Sequence, residues 1–80
     1  MCIWRVGSVQ LEKKWLRYYL LRSMKPQCGY GICVTCGSDA AFIPEITFSE
    51  VEVMQLLGAM MRGCVTPVTA WDIVEDWLCG

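Results

Sequence analysis

The 80-residue sequence contains no histidine and no asparagine. Without histidine the chain cannot form a Ser-His or Cys-His nucleophile pair, a histidine general base, or a zinc finger with mixed Cys and His ligands. Eight carboxylates remain as acid and base groups, and no pair of them stands in a recognisable catalytic arrangement. We therefore expect a protein that is not an enzyme, and sulfur must supply most of the ligands of any transition metal that it binds.

The sequence also lacks a long uninterrupted apolar segment. No run approaches the roughly 20 residues that cross a bilayer. The first ten residues, MCIWRVGSVQ, do not have the basic and then apolar segments of a signal peptide. These features predict a cytoplasmic protein that does not bind membranes. In that compartment six cysteines favour metal binding or reduced thiols over disulfides, although an even count fits disulfides as well.

Charged residues are few, at 19%, and hydrophobic residues make up 55% of the chain, which is typical of a packed globular protein. No linker, repeat or low-complexity segment divides the sequence, so residues 1–80 are expected to form a single domain. A domain of this size buries a modest share of its surface. A metal site, disulfides or an oligomeric interface would therefore help to stabilise it.

The net charge of −1 conceals an uneven distribution of charge along the chain. Residues 1–36 carry six basic residues and one acidic residue, a balance of +5, whereas residues 37–80 carry one basic and seven acidic residues, a balance of −6. Such a molecule can present two different faces to partners, although the two halves can also simply attract each other within one fold. Because the acidic half would attract phosphate poorly, a nucleic acid partner is not expected.

Hydrophobic patterning predicts the elements of the first half of the chain. Two short apolar segments, 3–6 and 9–12, indicate a hairpin. Residues 12–24 are rich in helix formers, lack glycine and proline, and predict an amphipathic helix with a basic face. Residues 40–46 are expected to be extended, with Pro44 limiting that strand to the edge of a sheet.

The second half carries stronger helix signals. Ser49 and Glu52 form a capping box for a helix over residues 50–62, which Gly63 is expected to end. The tail, residues 69–79, fits an amphipathic helix better than an alternating strand. We therefore expect two consecutive helices here, with the strand interpretation of the tail left open.

Cysteines cluster in the segment CGYGICVTC, which begins at Cys28 and ends at Cys36. Its spacing is C-x4-C-x2-C, with Cys33 in the middle and Gly31 in the wider gap, and Cys64 follows after 27 intervening residues. Four thiols at this spacing indicate a [2Fe–2S] cluster. A four-thiolate zinc site would use the same residues, and buried or free thiols without any metal also fit the pattern.

This segment resembles the cluster loop of the plant-type and bacterial [2Fe–2S] ferredoxins, which runs C-x-x-G-x-C-x-x-C. The matching residues are Cys28, Gly31, Cys33 and Cys36, and the fourth ligand maps to Cys64. The resemblance implies that Cys28 and Cys33 hold one iron and that Cys36 and Cys64 hold the other. It also implies one-electron transfer with a redox partner protein, and an α+β fold of the β-grasp type with a hairpin, a helix, the cysteine-rich loop and a second helix.

Two alternatives remain open. The fold can instead be mostly helical with a small β-hairpin. The protein can be a small stand-alone inhibitor of the kind that phages and plasmids encode, which binds a larger protein complex and has no catalytic activity. The short length, the uneven charge and the aromatic residues favour this hypothesis. A helical tail would count against the β-grasp fold and in favour of the binding protein. Residues 46–80 also loosely resemble two helices of winged-helix domains.

Overall fold

The fold is a four-stranded antiparallel sheet followed by two helices. The structure, a computed structural model, describes residues 2–23 and 29–79. The elements are β1 (Cys2–Leu11), β2 (Lys14–Arg22), β3 (Tyr30–Cys36), β4 (Asp39–Thr47), α1 (Glu50–Arg62) and α2 (Pro67–Cys79). The strands lie side by side in chain order, so that β1 and β4 form the two edges of the sheet.

The inner strand β2 occupies the segment for which the sequence predicts a helix over 12–24, so that prediction is wrong. Leu16, Tyr18 and Leu20 alternate into the core, as expected for a strand with one face covered. Aromatic residues favour strands, and β2 gains backbone hydrogen bonds from a neighbour on each side. Pairing with distant residues therefore outweighs the local helix propensity.

β1 is one continuous strand, and the predicted hairpin between 3–6 and 9–12 is wrong. Its pairing with β2 shifts by one residue between Arg5 and Gly7, which is a β-bulge. The turn that reverses the chain comes later, where Glu12 has a φ of 57°. The predicted extended segment 40–46 is confirmed within β4, which is an edge strand.

The first helix begins and ends close to its predicted bounds. The Ser49 hydroxyl accepts a hydrogen bond of 3.3 Å from the Glu52 amide, as expected from the capping box. The left-handed residue after α1 is Cys64, with a φ of 51°, and not Gly63, whose φ is −89°. The next amide, that of Val65, donates a hydrogen bond of 3.0 Å to the Met60 carbonyl, which completes a Schellman motif.

The tail is helical, as periodicity predicts, but α2 begins at Pro67 rather than after Thr69. Proline suits the first position of a helix because its missing amide proton would have no partner there. No helix in the described part of the chain is long and apolar enough to cross a membrane.

Both helices pack on the same face of the sheet. The core between them is formed by residues from β2, β3, β4 and both helices, namely Leu16, Tyr18, Leu20, Ile32, Val34, Ala41, Ile43, Val53, Leu56, Leu57, Met60, Ala70 and Val74. The α+β class is therefore confirmed, and the mostly helical alternative is wrong. The β-grasp arrangement is not confirmed, because the strands follow one another directly and both helices come after the last strand.

Candidate functional site

The described cysteines of the predicted cluster lie on different sides of the sheet. Cys33 and Cys36 are three residues apart on β3, and side chains alternate along a strand, so the two thiols point to opposite faces. Cys33 pairs across the strands with Tyr19 and Phe42, away from the helices, and is only 8% exposed. Burial raises the pKa of the Cys33 thiol, which disfavours the thiolate that binds metals.

Cys36 and Cys64 lie on the helix side. Both pack against the core, and both contribute, after burial itself, to raising the pKa of Tyr18 to about 12. Cys28 lies outside the described residues. Across residues 2–23 and 29–79 no three His, Cys, Asp or Glu residues stand together as a possible metal site. The structure thus places Cys33 on the other side of the sheet from Cys36 and Cys64, and a bound cluster or zinc ion stays a prediction that metal analysis of the purified protein would test.

Gly31, predicted to lie in the cluster loop, is a buried residue within β3. A Cβ atom at this position would collide with the Ile43 carbonyl oxygen and would lie 2.6 Å from the Pro44 Cα. The pairing of β3 with β4 shifts at this point, and the irregular β4 backbone passes close to β3. The close approach of two strands accounts for this glycine without a cofactor.

The second face of the sheet, which we call the open face, carries neither helix. Alternation and strand register assign it these residues: Ile3, Arg5, Ser8, Gln10, Trp15, Arg17, Tyr19, Leu21, Gly31, Cys33, Thr35, Ala40 and Phe42. Trp15 is 46% exposed and Phe42 is 50% exposed, while Tyr19, on the same strand as Trp15, is half-buried. Leu21 at one end of this face is only 1% exposed, so the candidate binding surface is the part around the exposed aromatic rings of Trp15 and Phe42.

The acidic residues of the molecule are concentrated on the helix side and in the connections rather than on the open face. Arg5 and Arg17 lie on the open face. The structure describes all eight acidic residues, and none occupies an open-face position of a strand. Five of the eight lie on the two helices. The open face thus carries two arginines and no assigned acidic residue, whereas the helix side carries most of the carboxylates together with Lys14, Arg22 and Arg62.

A second candidate surface, which we call the α2 groove, runs between β4 and α2. It has a volume of about 320 Å³ and is lined by Ile43, Pro44, Glu45, Ile46, Trp71, Val74, Glu75 and Leu78. Trp71 and Leu78 are 55% and 58% exposed at its rim. Its lining is apolar except for the carboxylates of Glu45 and Glu75.

Neither surface can be recognised from the sequence unless the strands are first assigned correctly. Residues 15, 17 and 19 share a face only if the segment is a strand, and the same residues spread around a helix. The alternation of aromatic and basic side chains at Trp15, Arg17 and Tyr19 is the signal that identifies the open face. Phe42 joins them only through the register of β4 on β3.

Comparisons with known proteins place the chain in a family without an assigned activity. Residues 4–80 match the family described as "Family of unknown function (DUF6514)". No curated protein matches the chain, and no solved structure matches it. The resemblance to the [2Fe–2S] ferredoxins is therefore wrong, since the family that covers nearly the whole chain is a different one. The chain belongs to the family DUF6514.

Proposed function

We propose that the protein is a small, non-catalytic protein-binding protein that holds a basic, amphipathic segment of a larger protein complex in its α2 groove. The observation that carries the proposal is the pair of exposed apolar side chains, Trp71 and Leu78, beside an apolar groove with an acidic rim. The helical tail supports it further, because a helix at this position is what the binding-protein hypothesis expects.

The apolar part of the groove would supply most of the affinity. Tryptophan is enriched among residues that dominate binding energy, and such residues lie where a partner can exclude water around them. Trp71 and Leu78 stand two helical turns apart and flank Val74, which is buried against the sheet. A partner with apolar side chains at a similar spacing would cover all three.

Charge favours a basic partner. Glu45 and Glu75 line the groove, and α2 adds Asp72 and Asp76 with no basic residue anywhere in the helix. Complementary charge accelerates association and excludes acidic competitors. Lysine or arginine residues flanking an apolar stretch of the partner would meet these carboxylates.

The edge of β4 disfavours a partner that binds as an added strand. Pro44 has no amide proton to donate, and Glu45 has a φ of 57°, which interrupts the extended backbone. Side chains entering the groove are therefore a better binding mode than backbone pairing along this edge.

Affinity purification with quantitative mass spectrometry tests the proposal with a matched pair of variants. Leu78→Asp places a charge in the groove, and Phe42→Asp places one at a similarly exposed site on the open face. We expect Leu78→Asp to lose a specific protein that wild type and Phe42→Asp both retain. Recovery of the same proteins by all three forms would contradict the proposal.

A further inference from the structure

We infer that the open face binds single-stranded nucleic acid, by stacking bases on Trp15, Tyr19 and Phe42 while Arg5 and Arg17 contact phosphates. This site is separate from the α2 groove and lies on the opposite side of the sheet. Its recognition chemistry is common to single-stranded DNA and RNA.

The aromatic rings form a compact platform. Arg5, Tyr19, Cys33 and Phe42 stand in one row across the four strands, each paired with the next. Tyr19 and Phe42 are two strand spacings apart, about 10 Å, and Trp15 and Tyr19 are four residues apart along β2, about 13 Å. One short oligonucleotide can therefore reach all three rings. Stacking on aromatic side chains of a sheet is a common way of holding unpaired bases.

The position of the acidic residues removes the main objection to a nucleic acid partner. The net charge of −1 disfavours phosphate binding only if the acidic residues share the binding surface. The acidic residues on the strands and helices lie elsewhere, and the open face carries two arginines without an acidic residue at any of its strand positions. Arginine also stacks on bases, so Arg5 and Arg17 suit this partner in both charge and shape.

A second copy of the chain fits the open face less well. Two copies meeting face to face would place four arginines, Arg5 and Arg17 of each copy, in one interface, with no acidic residue among the assigned residues of either face to neutralise them. Such like-charge contact opposes association. A duplex fits less well too, because its bases are stacked on one another and present no free ring faces to Trp15 and Phe42.

Fluorescence anisotropy with labelled oligothymidylate and oligouridylate of about 12 nucleotides tests the inference at low salt. We expect binding to either oligomer, weakened roughly five-fold or more by Trp15→Ala and by Phe42→Ala. The matched control is Trp4→Ala, which removes a tryptophan of equal exposure from the other face of the sheet, where Trp4 pairs with the core residue Leu20, and should leave the affinity unchanged. Circular dichroism of each variant shows that the fold is retained.

The salt dependence separates stacking from simple charge attraction. Arg17→Glu should weaken binding and reduce the salt dependence, whereas Arg62→Glu, on α1, should do neither. Three results would overturn the inference: no binding to either oligomer at low salt, equal binding of a duplex with no effect of the aromatic variants, or a dimer in sedimentation that Phe42→Ala dissociates. The last result would assign the open face to a second copy.

Discussion

The hydroxyl of Tyr18 donates a hydrogen bond of 2.7 Å to the carbonyl oxygen of Val65. Tyr18 is completely buried in the inner strand β2, and Val65 lies in the connection between α1 and α2. This hydrogen bond thus links the sheet to the connection that leads into α2. The position of α2, and with it the shape of the α2 groove, depends on this connection.

Replacing Tyr18 with phenylalanine removes this hydrogen bond and keeps the ring. Because the Val65 carbonyl would lose its partner in a partly buried place, we expect the free energy of unfolding to fall by about 1–3 kcal/mol. Urea denaturation under reducing conditions measures it. Tyr19→Phe is the control, since Tyr19 lies on the open face, and it should change stability by less than about 0.5 kcal/mol. Equal losses in the two variants would contradict the role of Tyr18.

Alkaline pH should weaken the fold through the same residue. Burial, followed by the influence of Cys64 and Cys36, raises the pKa of Tyr18 from 10.0 to about 12. Between these values the unfolded chain loses the phenol proton while the folded chain keeps it, so the free energy of unfolding falls as pH rises, by about 1.4 kcal/mol per pH unit. Below pH 10 the contribution is fully present.

Urea denaturation as a function of pH checks this second prediction. The decline between pH 10 and 12 should be clearly shallower in Tyr18→Phe than in wild type. Any decline caused by the raised pKa of the Cys33 thiol is common to both proteins. Identical pH profiles would show that Tyr18 does not titrate as its environment indicates.

Two glycine-to-alanine substitutions should have opposite signs. Gly31→Ala places a methyl group against the β4 backbone, and we expect a loss of about 1–3 kcal/mol. Gly58→Ala lies within α1, where the new Cβ meets only the flexible end of Arg62 at 3.4 Å, and we expect a gain of up to about 1 kcal/mol. Thermal unfolding of both variants measures the two effects. An unchanged stability of Gly31→Ala would contradict the close approach of β3 and β4.

Cys64 occupies a backbone conformation that suits glycine. Because a left-handed conformation costs a residue with a Cβ about 1–2 kcal/mol, Cys64→Gly should stabilise the fold by up to about 1 kcal/mol. Gly63→Ala should be nearly neutral, since φ is negative there and the nearest atom to the new Cβ is 3.5 Å away. Thermal unfolding in reductant compares them. The reverse pattern would place the left-handed residue at Gly63.

Local signals in the sequence are sufficient for the helices. The Ser49 and Glu52 pair, a clear apolar stripe and a helix stop lie within one short segment, and α1 forms as predicted because its hydrogen bonds are all internal. The same holds for α2, whose apolar periodicity is also a local signal. Local signals identify these segments as helices, while packing against the sheet supplies most of their stability.

Strand pairing is what local patterns do not reveal. Residues 14–22 fit either a helical stripe or an alternating strand, and the outcome depends on β1 and β3 as neighbours. The cysteine spacing has the same limitation. It favours a cluster if residues 29–36 form a loop, whereas Tyr30–Cys36 is a strand and sends Cys33 and Cys36 to opposite faces. The open face and the α2 groove likewise depend on strand positions.

Site-specific photo-cross-linking in the cells that make the protein tests the proposed α2 groove most directly. A photoreactive phenylalanine analogue is placed at Trp71 in the groove and, as the matched control, at Trp15 on the open face, both exposed tryptophans. The proposal predicts that position 71 cross-links to one protein, through a peptide with basic residues beside an apolar stretch, and that Leu78→Asp abolishes the product. Protein cross-links that form equally at positions 15 and 71, or that persist in Leu78→Asp, would contradict it.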